Sequence, residues 1–162
     1  MHDNNQDLEE RMLEFNSLRE IIDFAISKEQ EAADFYEQLS QDVENKLVAK
    51  ELLKMKAEEE KHRDWLKSAP IAFVSDAEPK RINDLKIAEY TIPAEPGKDI
   101  TFQDAVSIAM QRELVSMQLY QELAGMVTDS NIERVFMNLA AEEAKHKHYF
   151  ETLWDEYVLT EN

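Results

Sequence analysis

Apolar residues recur every three to four positions in four stretches of this chain, the spacing that gives an α-helix one buried face. In the first half, a helix is predicted from Ser17 to about Ser40, and a polar turn near 42–46 leads to a second helix at about 46–67. Ser17-Leu-Arg-Glu20 is a capping box, in which Ser17 accepts a hydrogen bond from a free amide and Glu20 reaches back. The buried faces are expected to carry Ile21, Ile22, Ala25, Ile26, Ala32, Ala33, Phe35, Tyr36 and Leu39, then Leu52, Leu53, Met55, Trp65 and Leu66.

The second half repeats this layout over residues 101–157. The third helix is predicted to open at Thr101-Phe-Gln-Asp104 and to break at Gly125, and the fourth to run from about Asn131 to Tyr157. Their expected buried residues are Val106, Ile108, Ala109, Met110, Leu114, Met117, Tyr120 and Leu123, then Val135, Phe136, Leu139, Ala140, Tyr149, Phe150 and Leu153. Residues 1–16 read as a polar lead-in, and 158–162 as a tail.

The connection between the two hairpins, residues 68–100, has a different composition. It holds all four prolines and Gly97, and it is much longer than a turn between neighbouring helices. A long connection of this kind lets the third helix start at the far end of a bundle. The sequence therefore predicts an all-α protein, one domain over 17–157, in which two helical hairpins are joined by a crossover.

The two hairpins are also copies of each other at one constant offset along the chain. Residues 17–66 align with 101–150 without a gap and with ten identical pairs. The segment Ala-Glu-Glu-Glu-Lys-His at 57–62 returns as Ala-Glu-Glu-Ala-Lys-His at 141–146. Glu29 and Tyr36 return as Glu113 and Tyr120. The repeat thus preserves ionisable residues as well as apolar ones.

The repeated ionisable residues have the spacing of metal ligands. Glutamate and histidine at positions i and i+3 share one face of a helix and can grip one ion together. One more glutamate on the preceding helix completes three ligands per ion, with open positions for water, dioxygen or peroxide. Mixed carboxylate and imidazole ligation suits iron or manganese. The candidate ligands are Glu29, Glu59, His62, Glu113, Glu143 and His146, with Glu58 and Glu142, four residues before each histidine, as an alternative register.

These residues resemble the di-iron domain of the rubrerythrin and ferritin-like superfamily, over about residues 17–155. The resemblance implies a ferritin-like bundle that binds two iron ions, with manganese or zinc as substitutes. It places Glu29, Glu59 and His62 on one ion and Glu113, Glu143 and His146 on the other, which favours Glu59 and Glu143 over the alternative register. It also implies that Tyr36 and Tyr120 hydrogen-bond the ligand carboxylates.

Two departures from rubrerythrin limit what the resemblance implies. The chain has no cysteine, so it lacks the Cys-ligated iron of a rubredoxin module and needs a separate electron-donor protein. Rubrerythrins carry a further glutamate three residues after the first one on the third helix, and here Ser116 takes that position. The expected activity is therefore a broader redox reaction with hydrogen peroxide or dioxygen, by a peroxidase or oxidase.

Charge and composition exclude some kinds of binding partner. A net charge of −17 argues against nucleic acid and against an anionic membrane surface, since both need a basic patch. No apolar run is long enough for a membrane span, and the first residues lack a signal-peptide core, so we expect a cytoplasmic protein. The family resemblance implies a homodimer. Two alternatives to the redox enzyme are an iron-handling ferroxidase or storage protein and an interaction bundle that the metal only braces.

Overall fold

The computed structural model describes residues 15–68 and 100–158, which form four helices. These are α1 (Leu18–Asp42), α2 (Lys46–Ser68), α3 (Phe102–Met126) and α4 (Ser130–Val158). The predicted all-α fold is confirmed, and each helix lies within a few residues of its predicted bounds. Most of the predicted lead-in, most of the connection and most of the tail lie outside the described residues. No helix in the described part of the chain has the length and apolarity that crossing a membrane requires.

Matched caps start the equivalent helices in the two halves. The Ser17 hydroxyl accepts from the Glu20 amide at 3.2 Å, and Thr101 accepts from Asp104 at the same distance. The Glu20 carboxylate accepts from the Asn16 amide, one residue earlier than a capping box predicts. At α2 and α4 the caps are Asn45 and Asp129, and each side chain accepts from the two amides that lie two and three residues later. These two caps, which also occupy equivalent positions of the repeat, were not recognised from the sequence.

The end of α3 differs from the prediction because Gly125 is an ordinary helical residue. The helix continues through it to Met126 and stops at Val127, which is extended (φ −101°, ψ 146°). A Cβ added at Gly125 would meet nothing within 4 Å. The glycine therefore neither provides a close approach nor caps the helix, and the predicted break comes one residue too early.

Two apolar clusters show how the helices run. Core A lies where α1 starts and contains Leu18, Ile21, Ile22, Ala25, Leu66, Leu119, Tyr120, Leu123, Ala124, Met126, Val127, Ile132, Phe136, Leu139 and Ala140. Core B lies where α1 ends and contains Tyr36, Leu39, Val43, Val48, Leu52, Met55, Ile100, Ala105, Val106, Ala109 and Phe150. Core A thus gathers the end of α2 and the end of α3, while core B gathers the beginnings of both. Helices α2 and α3 therefore run in the same direction.

This arrangement is the one that a long crossover requires. Next to core B, the Ile100 amide donates to the carbonyl of Asp42 at 3.2 Å, which ties the start of α3 to the end of α1. The chain leaves α2 at the opposite end, beside core A. The connection itself, residues 69–99, is outside the described residues.

Two side chains on α2 lie on a different face from the one predicted. Leu53 is 47% exposed and Trp65 is 41% exposed, whereas their neighbours Leu52 and Leu66 are fully buried. The prediction failed because a run of two apolar residues does not tell which of them faces the core. Each buried leucine or phenylalanine contributes about 2 kcal/mol by leaving water, and this burial helps to offset the cost of the ionisable layer described next.

Candidate metal centre

Between core A and core B lies a layer of six buried ionisable side chains, and they are the six predicted ligands. Helices α1 and α3 each contribute one glutamate, and α2 and α4 each contribute a glutamate and a histidine one turn apart. All are between 1% and 8% exposed: Glu29, Glu59, His62, Glu113, Glu143 and His146. Such groups are almost never buried unless they are paired or bind a metal.

In the first half of the layer, the Nδ1 atom of His62 faces three carboxylates. It lies 3.3 Å from an oxygen of Glu143, 3.4 Å from Glu59 and 3.6 Å from Glu29. Ligand atoms of these four residues all lie within 4.8 Å of one another, close enough to surround one ion. Glu143, a carboxylate from the other hairpin, thus lies beside Glu29, Glu59 and His62.

The second half mirrors the first. The Nδ1 atom of His146 lies 3.3 Å from Glu59, 3.6 Å from Glu113 and 3.7 Å from Glu143. Glu59 turns one oxygen to His62 and the other to His146, and Glu143 does the same. Two carboxylates that each face both histidines have the arrangement of bridging ligands between two ions.

Unsatisfied polar atoms provide a direct test of whether these residues fit metal ions. Among the described residues, seven buried side-chain nitrogen or oxygen atoms lack a hydrogen-bond partner, and six of them belong to this layer. They are Oε2 of Glu29, Oε1 of Glu59, Nδ1 of His62, Oε2 of Glu113, Oε1 of Glu143 and Nδ1 of His146. Buried polar atoms rarely stay unpaired, because each costs about 1–3 kcal/mol. One free donor atom from every predicted ligand is what a two-metal centre requires.

The two repeated tyrosines hold the outer glutamates from across the repeat. The Tyr36 hydroxyl donates to Oε1 of Glu113, and the Tyr120 hydroxyl donates to Oε1 of Glu29. Each tyrosine therefore orients a carboxylate of the other half while leaving the second oxygen of that carboxylate free. The resemblance implied such hydrogen bonds, but nothing in the sequence indicated that they cross between the hairpins.

The electrostatics of the layer favour protons on both histidines and on the two outer glutamates. Burial opposes the charge on His62, but the close negative carboxylates of Glu143, Glu29 and Glu59 outweigh burial and raise the pKa of His62 to about 12. The pKa of His146 is raised in the same way. Burial, together with the charges of neighbouring carboxylates, also raises the pKa of Glu29 and of Glu113 well above 4.5. Protons and metal ions therefore compete for the same donor atoms.

The alternative glutamates lie at the surface. Side chains of Glu58 and Glu142 are 39% and 42% exposed and pair with Lys61 and Lys145 at 2.9 Å. Glu58 can still bring one oxygen within 4.8 Å of ligand atoms of both histidines, so it lies beside the layer rather than inside it. The positions of Glu59 and Glu143 match the register that the family resemblance favours.

Comparisons with known proteins agree with this architecture. The sequence model of the rubrerythrin family matches residues 20–154. Comparison with functionally curated proteins gives no match. A Thermotoga maritima protein, named as a candidate ferritin-like diiron-carboxylate protein, has a TM-score of 0.64 at 20% identity, covering 87% of this chain and 97% of its own.

Two further solved structures have the same fold. A hypothetical protein from Pyrococcus furiosus gives a TM-score of 0.61 at 22% identity and covers 86% of this chain and 89% of its own. A manganese catalase from Anabaena gives a TM-score of 0.60 at 17% identity and covers 96% of this chain and 80% of its own. At such identities the likeness shows the fold alone. The family match, however, spans most of the chain and all six buried ligand candidates, and this protein belongs to the rubrerythrin family.

Proposed function

We propose that this protein binds two iron ions in the buried layer and uses them in redox chemistry on hydrogen peroxide or dioxygen. The observation that carries the proposal is the set of six buried donor atoms without partners, one from each candidate ligand. Glu29 and His62 would hold one ion, Glu113 and His146 the other, and Glu59 and Glu143 would bridge them. Oxygen and imidazole donors fit manganese too, and zinc as a substitute.

The bound ions would supply the electrons that reduce the oxidant. The surrounding residues would set the conditions for that step. Core A and core B close the layer at both ends, and this apolar surrounding would strengthen the hold of the carboxylates on the ions. Tyr36 and Tyr120 fix the orientation of the two outer glutamates, so the free oxygen of each glutamate would be available to an ion.

Hydrogen peroxide is our first choice of oxidant. One protein with the same fold is named a manganese catalase, and catalases act on hydrogen peroxide. Ser116, partly buried one turn after Glu113 on α3, supplies no carboxylate. The proposal is therefore a general peroxidase or oxidase. We also propose a separate electron-donor protein, because the chain has no cysteine that could ligate an additional, electron-donating iron.

A second candidate, ferroxidation coupled to iron handling, is favoured by the charge of −17, which attracts cations. The choice of oxidant separates the two. Ferrous-loaded protein is mixed anaerobically with hydrogen peroxide and, separately, with dioxygen, and iron oxidation is followed by stopped-flow absorbance. The redox-enzyme proposal expects the faster reaction with peroxide. A faster reaction with dioxygen would favour the ferroxidase.

A matched pair of variants controls this experiment. Glu143→Gln removes a bridging ligand, and Glu142→Gln changes only the exposed neighbour that pairs with Lys145. We expect the first to lose rapid oxidation and the second to keep it. If wild-type protein oxidises ferrous iron no faster than the free ion reacts, the proposed function is wrong.

A further inference from the structure

From the Glu113 side of the layer, aromatic rings lead in unbroken contact towards the surface of the bundle. Tyr36 donates its hydroxyl hydrogen bond to Glu113 and stacks on Phe150, with ring centroids 6.0 Å apart and an interplanar angle of 18°. Phe150 in turn meets Tyr149 edge to face at 5.7 Å. The rings of Tyr36 and Phe150 therefore connect a candidate ligand to Tyr149, which lies at the interface of α2 and α4.

The last ring of this series has a base beside its hydroxyl group. Tyr149 donates a hydrogen bond to Oε2 of Glu51 on α2. Glu51 also accepts from Lys54, and its side chain is 25% exposed, so its carboxylate can exchange protons with solvent. A phenol gives up an electron readily only if its proton can leave at the same time, since an oxidised phenol is a much stronger acid than a carboxylic acid. Tyr149 and Glu51 have this arrangement.

The other half of the repeat lacks the same connection. Tyr120 stacks on Phe136 at 6.1 Å, but the positions equivalent to Phe150, Tyr149 and Glu51 are taken by Leu66, Trp65 and Val135. No ring contact continues beyond Phe136 in the part of the chain that the structure describes. These three positions differ between the halves, and among the described residues a series of three rings leads away from the layer at Tyr36 but not at Tyr120.

We propose that Tyr149 is an electron donor to the metal centre through Phe150 and Tyr36, an inference that rests on the proposed function. Reduction of hydrogen peroxide to two waters takes two electrons and two protons. When the centre holds a single reducing electron, Tyr149 supplies the second one. Its phenolic proton moves to Glu51, a tyrosyl radical remains, and the two protons for water come from solvent.

The test begins with ferrous-loaded protein from which ferricyanide has removed one electron per centre. One equivalent of hydrogen peroxide is added, and freeze-quenched samples are examined by electron paramagnetic resonance. We expect a tyrosyl radical in the wild type. Tyr149→Phe keeps the ring but loses the ionisable hydroxyl, and its signal should fall to that of a sample without peroxide. Glu51→Gln, which still accepts a hydrogen bond but is a poor base, should lower the yield too.

A matched pair of core variants tests the route itself. Phe150→Leu and Phe136→Leu make the same change at fully buried positions of α4, each stacked on a tyrosine that holds a ligand. The first should abolish the radical and the second should preserve it, with equal metal content in both. An undiminished radical in Tyr149→Phe, or equal losses in the two leucine variants, would overturn the inference. If peroxide oxidises no iron in the wild type, the proposed function has failed and this inference falls with it.

Discussion

Replacing the buried Glu113 by glutamine should change the stability of this protein in opposite directions with and without metal. Glu113 is 1% exposed, and burial together with the charges of Glu143 and Glu59 raises its pKa well above 4.5. In the metal-free fold it therefore keeps a proton that the unfolded chain loses. Because the folded state binds more protons, stability falls as the pH rises above 4.5.

The size of this effect follows from the cost of holding that proton. Keeping Glu113 protonated costs about 1.4 kcal/mol of folding free energy for each pH unit above its ordinary pKa, or up to roughly 3 kcal/mol near neutral pH. Glutamine does not titrate and can still accept from the Tyr36 hydroxyl. Metal-free Glu113→Gln should therefore match the wild type near pH 4.5 and exceed it near neutral pH, by roughly 6–12 °C in Tm. With metal bound, it should be less stable than the wild type, because an amide is the poorer ligand.

Thermal unfolding by circular dichroism measures both effects, at about pH 5.5 and about pH 7.5, with chelator and with added manganese. Glu142→Gln is the control: its side chain is 42% exposed and pairs with Lys145, so its Tm should shift little in any condition. A metal-free Glu113→Gln variant that unfolds at a lower temperature than the wild type, or gains equally at both pH values, would refute the reasoning.

Three other predictions address different parts of the structure. Tyr36→Phe should lower metal affinity by about 10–100-fold in a manganese titration, because Tyr36 orients the Glu113 carboxylate. Adding Tyr36→Phe to Glu113→Gln should lower the affinity little further, since the carboxylate through which Tyr36 acts is already gone; strict additivity would contradict this. Metal binding near neutral pH should release protons, because the pKa of His62 is raised to about 12. The heat of metal binding measured by calorimetry should therefore differ between buffers, and equal heats in all buffers would argue against a protonated histidine. Leu52→Ala should lower the free energy of unfolding in urea by about 2–5 kcal/mol, because Leu52 is fully buried. Leu53→Ala should lower it by about 0.5 kcal/mol or less, because Leu53 is 47% exposed. Similar losses would mean that α2 turns a different face to the core.

The sequence predicted the helices and the composition of the buried layer because both depend on local spacing. Period and caps place each helix, and Glu-x-x-His fixes two ligands on one face wherever the helix lies. The repeat supported these predictions further, because each candidate ligand in one hairpin has its counterpart at the same offset in the other. The caps at Asn45 and Asp129 carry the same signal and could have been found with it.

The individual contacts between the two hairpins could not be predicted from local spacing. The hydrogen bond from Tyr36 to Glu113 joins residues 77 positions apart and depends on how the two hairpins pack. The route through Phe150 to Tyr149 likewise depends on packing between α1 and α4. Exposure of Leu53 and Trp65 depends on the rotation of α2, which neighbouring apolar residues leave undecided.

The central claim is that the buried layer holds two metal ions in each chain. Metal content by inductively coupled plasma mass spectrometry, measured on purified wild type and on a variant carrying both Glu59→Gln and Glu143→Gln, tests it most directly. We predict about two ions per wild-type chain and none in the variant, with helical content unchanged in both. One ion or none in folded wild-type protein saturated with iron or manganese would contradict the account.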